Sequence, residues 1–244
     1  KLRSCSFHKS GKIRQIHVPT YQDRVVLAAV FHRLLRAFRG RYLRAVLSRS
    51  GGAAPKKVLA RVLDGLRRGG YTCLSAMDIR DAFSSVEPAQ SIARLRQWGA
   101  DRRALSLIER FLAQSWSDRP GIPLGAAPSP LLLDAYLSEF DQEMHQTGAR
   151  VLRWADDVLL VAGDTATLSQ AREKAMAALP CRMVFRENDA REGDAVQYLG
   201  WALTPRGEWW PTSGRWDHLC DLVEDTSGTG EEIQGRMKGW IAQH

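Results

Sequence analysis

Cysteine is scarce, with four in 244 residues. Cys5, Cys73, Cys181 and Cys220 stand far apart. No metal-ligand spacing links them, and no framework of paired thiols is implied. A reducing, intracellular setting is the expectation. Long apolar runs are missing too. Nothing approaches the roughly 18 uninterrupted apolar residues of a membrane helix. The N-terminal KLRSCSFHKSGKIRQI carries no signal-peptide pattern. Its charged, strand-like opening predicts that the natural chain begins further upstream. Acidic residues are in deficit, with 27 Asp and Glu against 35 Lys and Arg, for a formal net charge of +8. That excess favours a polyanionic partner, nucleic acid before an acidic membrane. Arginine outnumbers lysine, and its fork suits phosphate oxygens, although a GC-rich genome gives the same bias. Internal repeats and low-complexity segments are absent.

What is present is enough for a core, at 44% hydrophobic residues. The length allows one large domain or two small ones. Residues 11–19, GKIRQIHVP, alternate apolar and polar side chains and end at proline, which predicts a strand. Thr20 then caps a helix whose Val25, Val26, Ala29, Val30, Leu34 and Leu35 recur at helical spacing. KVLARVLDGLRRGG reads as a helix stopped by two glycines. YTCLSAMDI reads as a buried strand. PAQSIARLRQWGA and DRRALSLIERFLAQSW read as two helices, DRPGIPLGAAPSP as a loop, and LLLDAYLSEFDQEMHQTG as one long helix. RWADDVLLV follows as a hairpin, TATLSQAREKAMAALP as a helix and VQYLGWALT as a strand. The sum is an α+β fold with helices laid on a small, mostly antiparallel sheet.

The hairpin poses a chemical question. Asp156 and Asp157 sit at its tip, where each raises the cost of ionising the other. Aspartate is a common turn residue, so ADD between apolar runs is, taken alone, more often a plain turn. Asp78 changes the balance. It ends an apolar strand, between Met77 and Ile79. If that strand lies beside the hairpin, three carboxylates converge at one sheet edge. Such a group is at ease around hard cations such as Mg²⁺. Two such ions clamp the attacking and leaving oxygens of an in-line phosphoryl transfer.

These residues carry a resemblance. The chain resembles a bacterial reverse transcriptase of the group II intron and retron type. GKIRQIHVPTYQDRVV resembles its fingers segment, and MDIRDAFSSV its first palm motif. GIPLGAAPSPLLLDAYLSEFD is similar to the glycine-rich loop and helix of the second motif. WADD resembles the third, usually YADD, and FRENDAR the fourth. QYLGWAL resembles the strand that supports the primer, and EIQGRMKGWI the thumb helix. One motif alone persuades little, but the set in this order is specific.

The resemblance implies a right-hand polymerase. Fingers would span 1–70 plus helices near 88–118, the palm 71–204 and a partial thumb 205–244. It implies an RNA-directed DNA polymerase that takes an RNA template, a DNA primer and dNTPs. Two Mg²⁺ ions, with Mn²⁺ as a substitute, would be held by Asp78, Asp156, Asp157 and the carbonyl of Ile79. Arg14, and Lys9 or Lys12, would reach the triphosphate. Phe83 would be the aromatic gate that excludes a 2′-hydroxyl, the group that separates RNA from DNA. Gly125 would bring backbone close to the nucleotide, since it lacks Cβ. A cytoplasmic, bacterial setting and further domains or partner proteins are also implied, and no membrane.

Three departures stand out. Leu124 replaces the usual Gln beside the templating pair, a feature shared with mutagenic relatives. Trp154 replaces the Tyr that meets the primer end. Arg191 replaces a Lys that serves as proton donor, a role closed to an arginine that never deprotonates. Other readings stay open. One is an RNA-binding maturase or assembly factor on the same scaffold, which three intact aspartates disfavour. Another is an RNA-dependent RNA polymerase, which Phe83 disfavours. A third is a template-independent polymerase of the defence type.

Overall fold

The computed structural model describes residues 2–9, 12–38, 55–186 and 195–224, with side chains placed except at 7–9, 12–14, 55–58, 218, 219 and 221–224. β1 (Leu2–Lys9) and β2 (Lys12–Pro19) form an antiparallel pair, with Leu2 opposite Pro19. Thr20 turns the chain into α1 (Tyr21–Phe38), its hydroxyl bonded to the Asp23 carboxylate at 2.7 Å. The buried stripe of α1 is Leu27, Val30, Leu34 and Phe38. Val25 and Val26, expected on that stripe, are instead 54% and 45% exposed. Spacing of three and four from Leu27 sets the line that packs, and α1 meets α5 (Arg102–Ser115) along it.

α2 (Pro55–Arg67) begins on its proline and buries Leu59, Val62, Leu63 and Leu66. Gly69, at φ 70, lets the chain leave it. β3 (Cys73–Asp78) follows, then α3 (Ala82–Ser85) and α4 (Pro88–Gln97). Asp101 caps α5 by accepting from the backbone N–H groups of Arg103 and Ala104. Beyond a loop, α6 (Ser129–Tyr136) and α7 (Ser138–His145) stand where the sequence predicts one long helix. The break is at Leu137, with ψ near 5°, and the Ser138 hydroxyl donates to the Ala135 carbonyl at 2.8 Å. A side-chain hydroxyl that competes for a helical carbonyl bends the helix at that point.

β4 (Arg150–Trp154) and β5 (Asp157–Ala162) form the expected hairpin, and α8 (Thr165–Ala178) follows. The chain closes with β6 (Val196–Tyr198), β7 (Trp201–Leu203), β8 (Trp209–Pro211) and α9 (Ser213–Glu224). Residues 196–204 were expected to run as one strand. They reverse instead at Leu199 and Gly200, whose φ values are 51° and 78°. Two consecutive positive φ angles make the tight turn whose twist suits a hairpin. Leu-Gly lacks the Asn-Gly signature that announces such a turn.

The central sheet has the order β3-β5-β4, all antiparallel. Side chains alternate between its faces, and each face has its own core. Met77, Val151, Val158, Leu160 and Ala162 join the larger one, beneath helices that include α4, α5, α6, α7 and α8. Leu74, Ala76, Leu152, Leu159 and Val161 join the smaller one, with α2 and the β6–β7 hairpin. A sheet covered on both faces explains why β5 is apolar nearly throughout. At its outer edge, Arg80 N–H donates to Val184 and Arg186 N–H donates to Asp78, so residues 184–186 run beside the end of β3.

Candidate active site

Register brings the first two carboxylates together. Asp78, the last residue of β3, lies directly opposite Asp157, the first of β5, and Trp154 flanks Asp157 from β4. By alternation all three sit on the face of the smaller core. Asp156 occupies the turn itself, after Ala155 at φ 53. Its carbonyl accepts the N–H of Ile79 at 3.0 Å, which locks the turn to β3. Ile79 itself is fully buried.

Like charges placed directly opposite on a sheet repel. Part of the compensation is visible: Arg186 Nε stands 3.1 Å from Asp78 Oδ2. Among the described residues, no three His, Cys, Asp or Glu side chains converge on a single preformed cage. The donors themselves suit a hard divalent cation, which takes carboxylate and carbonyl oxygens and completes its shell with water or phosphate. By that criterion Asp78, Asp156 and Asp157 fit Mg²⁺.

Beneath the turn lies a charge network that the sequence reading missed. Arg153 is fully buried, pointing from β4 into the larger core. Its guanidinium donates to both Asp141 oxygens at 2.7 Å, to Asp134 at 3.1 Å and to the Ala155 carbonyl at 2.8 Å. Burial alone disfavours the cation, but the carboxylates of Asp141 and Asp134 outweigh it and push the Arg153 pKa up. The turn that carries Asp156 is thus held from below by an arginine anchored in α6 and α7. On the other face Tyr198 donates to the Leu152 carbonyl at 3.3 Å. Burial and the negative charge of Asp157 both push the Tyr198 phenol up.

A cleft of about 400 Å³ is lined by Asp156, Arg186, Asp81 and Phe83, together with Gln15, His17, Trp116 and Leu124. The Phe83 ring also packs partly against the larger core. Asp81, at φ 46, is a second residue the sequence reading passed over; it turns the chain from Asp78 into α3. Leu124 reaches the cleft while its carbonyl accepts the N–H of His17. Trp154 is half-buried and packs against the smaller core, as do Leu199 and Trp201 of the β6–β7 hairpin.

Two glycines make this geometry feasible. Gly121, at φ 72, would place a Cβ 2.2 Å from the Phe83 carbonyl and 2.5 Å from Ser84 Cα. Gly125, at φ 106, approaches β2, and its Cβ would meet Ile16 Cγ2 at 2.3 Å. Backbone must move in the first case, a side-chain methyl in the second. We expect Gly121→Ala to cost more stability than Gly125→Ala, by a margin on the order of 1–3 kcal/mol, and so to melt at the lower temperature. Equal melting temperatures would show that the α3 backbone yields freely. The side chains of Lys9, Lys12 and Arg14, the whole of Arg191, and the thumb-like residues 232–241 lie outside the described residues.

Comparison with known proteins bears on the family and the fold. A family model described as "Reverse transcriptase (RNA-dependent DNA polymerase)" matches residues 7–181. Protein YkfC of Escherichia coli (strain K12) is 27% identical over 168 residues, which cover 59% of this chain and 42% of that protein. The chain therefore spans less than half of that curated relative. Among solved structures, apo telomerase from Candida tropicalis superposes with a TM-score of 0.61 at 12% identity, covering 98% of this chain and 55% of the other. An RNA-dependent RNA polymerase of BmCPV at its elongation state gives 0.61 at 9% identity, covering 91% and 24%. At such identities the likeness is one of fold, and the fold is the right-hand polymerase.

Proposed function

Because the chain belongs to the reverse transcriptase (RNA-dependent DNA polymerase) family, we propose that it extends a DNA primer with dNTPs on an RNA template. The observation that carries this reading is the register of Asp78 against Asp157 beside a cleft walled by Phe83 and Leu124. Asp78, Asp156 and Asp157, with the Ile79 carbonyl, would hold two Mg²⁺ ions, with Mn²⁺ as a substitute. When bound, the ions supply activation of the primer 3′-hydroxyl and neutralisation of charge on the phosphates. The chain's own residues do the rest. Arg153 holds the Asp156 turn in place, so the carboxylate is preorganised rather than recruited. Arg186 offers a fixed cation inside the cleft, beside the path of the leaving pyrophosphate, and Arg191 and the fingers residues Lys9, Lys12 and Arg14 would add to it. Trp154 would support the primer end together with the Leu199–Gly200 turn. Leu124 offers the templating pair shape without a hydrogen bond.

Primer extension on matched RNA and DNA templates, with dNTPs and Mg²⁺, tests the proposal. Template-dependent cDNA synthesis is the expected result. Products that ignore the template sequence would indicate a template-independent polymerase, and no synthesis from folded protein would point to a binding role.

Phe83 makes the sugar preference testable. Its ring lines the cleft and would stand under the ribose, where a 2′-hydroxyl has no room. Phe83→Val should raise ribonucleotide incorporation relative to deoxyribonucleotide by at least about tenfold, the loss of a steric exclusion of roughly 1.4 kcal/mol. Competition between the two nucleotides in single-turnover extension measures it, after a melting curve has confirmed folding. An unchanged ratio would make Phe83 a packing residue.

A further inference from the structure

The turn at Leu199 and Gly200 is held from outside its own hairpin. Thr212, which precedes α9, is tied to it. The Thr212 backbone N–H and hydroxyl both donate to the Gly200 carbonyl, at 3.0 and 3.1 Å. The first turn of α9 closes on the Thr212 carbonyl, which accepts the N–H groups of Arg215 and Trp216. Arg215 then reaches back to the hairpin. Its Nη2 donates to the Leu199 carbonyl at 2.7 Å, and its guanidinium lies 4.6 Å from the centroid of the Trp201 ring. That ring meets Trp209 of β8 edge-on, with centroids 4.6 Å apart. A Cβ on Gly200 would stand 2.8 Å from Arg215 Nε, so the guanidinium fills the space that a side chain there would need.

Both carbonyls of the turn are thus taken up by one short segment, residues 212–215. Leu199 needs such a hold, since its φ of 51° is one that leucine rarely takes. Yet Arg215 is not the residue that packing would choose. Among the described residues no carboxylate pairs with it, and its Nη1 is buried without a hydrogen-bond partner. Burial holds its pKa below the ordinary arginine value. A buried donor left unmade costs stability, so what the guanidinium contributes is geometry. The hairpin it grips packs on the sheet face that carries Asp78, Asp157 and Trp154. Tyr198, next to Leu199, donates to the Leu152 carbonyl and feels the charge of Asp157.

We infer that Arg215 is a positioning residue for the primer terminus. Acting through the Leu199 carbonyl, with Thr212 on the Gly200 carbonyl, it fixes the turn on which the primer 3′ end rests. The inference rests on the polymerase reading, in which that turn and Trp154 support the primer. The role asks for no contact with nucleotide or metal. Its effect is to keep the 3′-hydroxyl where it meets the α-phosphate, a placement in which an error of about 1 Å costs about a hundredfold in rate.

A 2-aminopurine base at the 3′ terminus of a primer–template duplex tests this, because its fluorescence rises when the base unstacks. A second duplex carries the same probe well upstream. With Arg215→Met, terminal fluorescence of the bound duplex should rise while the upstream signal stays that of the wild type. Single-turnover extension at saturating dNTP should fall roughly ten- to a hundred-fold, with KM for dNTP and duplex affinity changed less. Arg215→Lys still donates to the Leu199 carbonyl but lays no planar fork on Trp201, so it should recover part of the rate. Thr212→Val should show a weaker loss of the same kind. A melting curve accompanies each variant. Unchanged terminal fluorescence and rate in Arg215→Met would overturn the inference. So would a change equal at both probe positions, or losses that simply track melting temperature across the three variants, either of which would make Arg215 structural only. A wild type that binds the duplex yet extends no primer would sink the polymerase reading. A terminal signal that still depends on Arg215 would then leave its positioning role standing. A wild type that binds no duplex would overturn both.

Discussion

Asp156→Asn should abolish Mg²⁺-dependent primer extension and leave the melting temperature equal to or above that of the wild type. Activity and stability part company because the carboxylate makes opposite contributions to them. In the folded protein Asp156 sits next to Asp157, which faces Asp78 across the sheet. Removing one of three neighbouring anions relieves repulsion. The turn itself survives, because its holds do not use the Asp156 side chain: the Ile79 N–H donates to the Asp156 carbonyl and the Arg153 guanidinium to the Ala155 carbonyl. Chemistry loses an oxygen that would bind the metal, a deficit of about 4 kcal/mol or more in transition-state stabilisation, or at least three decades in rate. Single-turnover extension and a melting curve on the same preparation give both readouts. Extension within tenfold of the wild type would make Asp156 a turn former and nothing more.

Arg153→Met should do the reverse and strike stability first. Asp134 and Asp141 are both buried, at 2% and 7% exposure, and Arg153 is the cation they share. Truncating one member of a buried ion pair costs about 3–5 kcal/mol, because the partner charge is left unpaired in a dry environment. For a chain of this size that corresponds to a fall in melting temperature on the order of 10 °C. A triple variant, Arg153→Met with Asp134→Asn and Asp141→Asn, removes all three charges and should regain part of the lost stability. It should not regain activity, because nothing then holds the Ala155 carbonyl and the Asp156 turn drifts. Arg153→Met that melts like the wild type would show that the network is idle. Full activity in a refolded triple variant would show that the turn positions itself.

The carboxylates were legible in the sequence because each stands where an apolar strand stops. Periodicity finds such a boundary, and the order of the motifs supplies the pairing of β3 with β5. Arg153 escaped notice for the opposite reason. An arginine beside two aspartates reads as an ordinary surface neighbour, and its actual partners lie 12 and 19 positions upstream on helices. Nothing local announces that it points inward. Asp134 and Asp141 were swallowed in what read as one amphipathic helix, and the break at Leu137 depends on a serine hydroxyl that periodicity does not weigh. The β6–β7 reversal was missed because Leu199 adopts a positive φ that leucine rarely takes, so the turn is imposed by its surroundings rather than by its residue type. Val25 and Val26 show the converse limit. They are apolar at helical spacing, but which face of α1 is covered depends on where α5 lies. The fold class came through because it is a sum over many such signals, and errors in one helix face do not alter it.

The pairing of Asp78 with Asp157 also sets how this chain is free to vary in length. Both β3 and β5 contribute to a core on each face, so every residue in them has an assigned side. Deleting or inserting one residue between Cys73 and Asp78 would exchange the two sides. Leu74 and Ala76 would trade places with Cys73, Ser75 and Met77, and Asp78 would turn toward the larger core, away from Asp157. The damage to packing and to the site would come from one event, so neither strand has a neutral path to a new length. The segments between helices carry no such parity. Variation by insertion in this protein should therefore gather in its loops, while β3 and β5 change only by substitution.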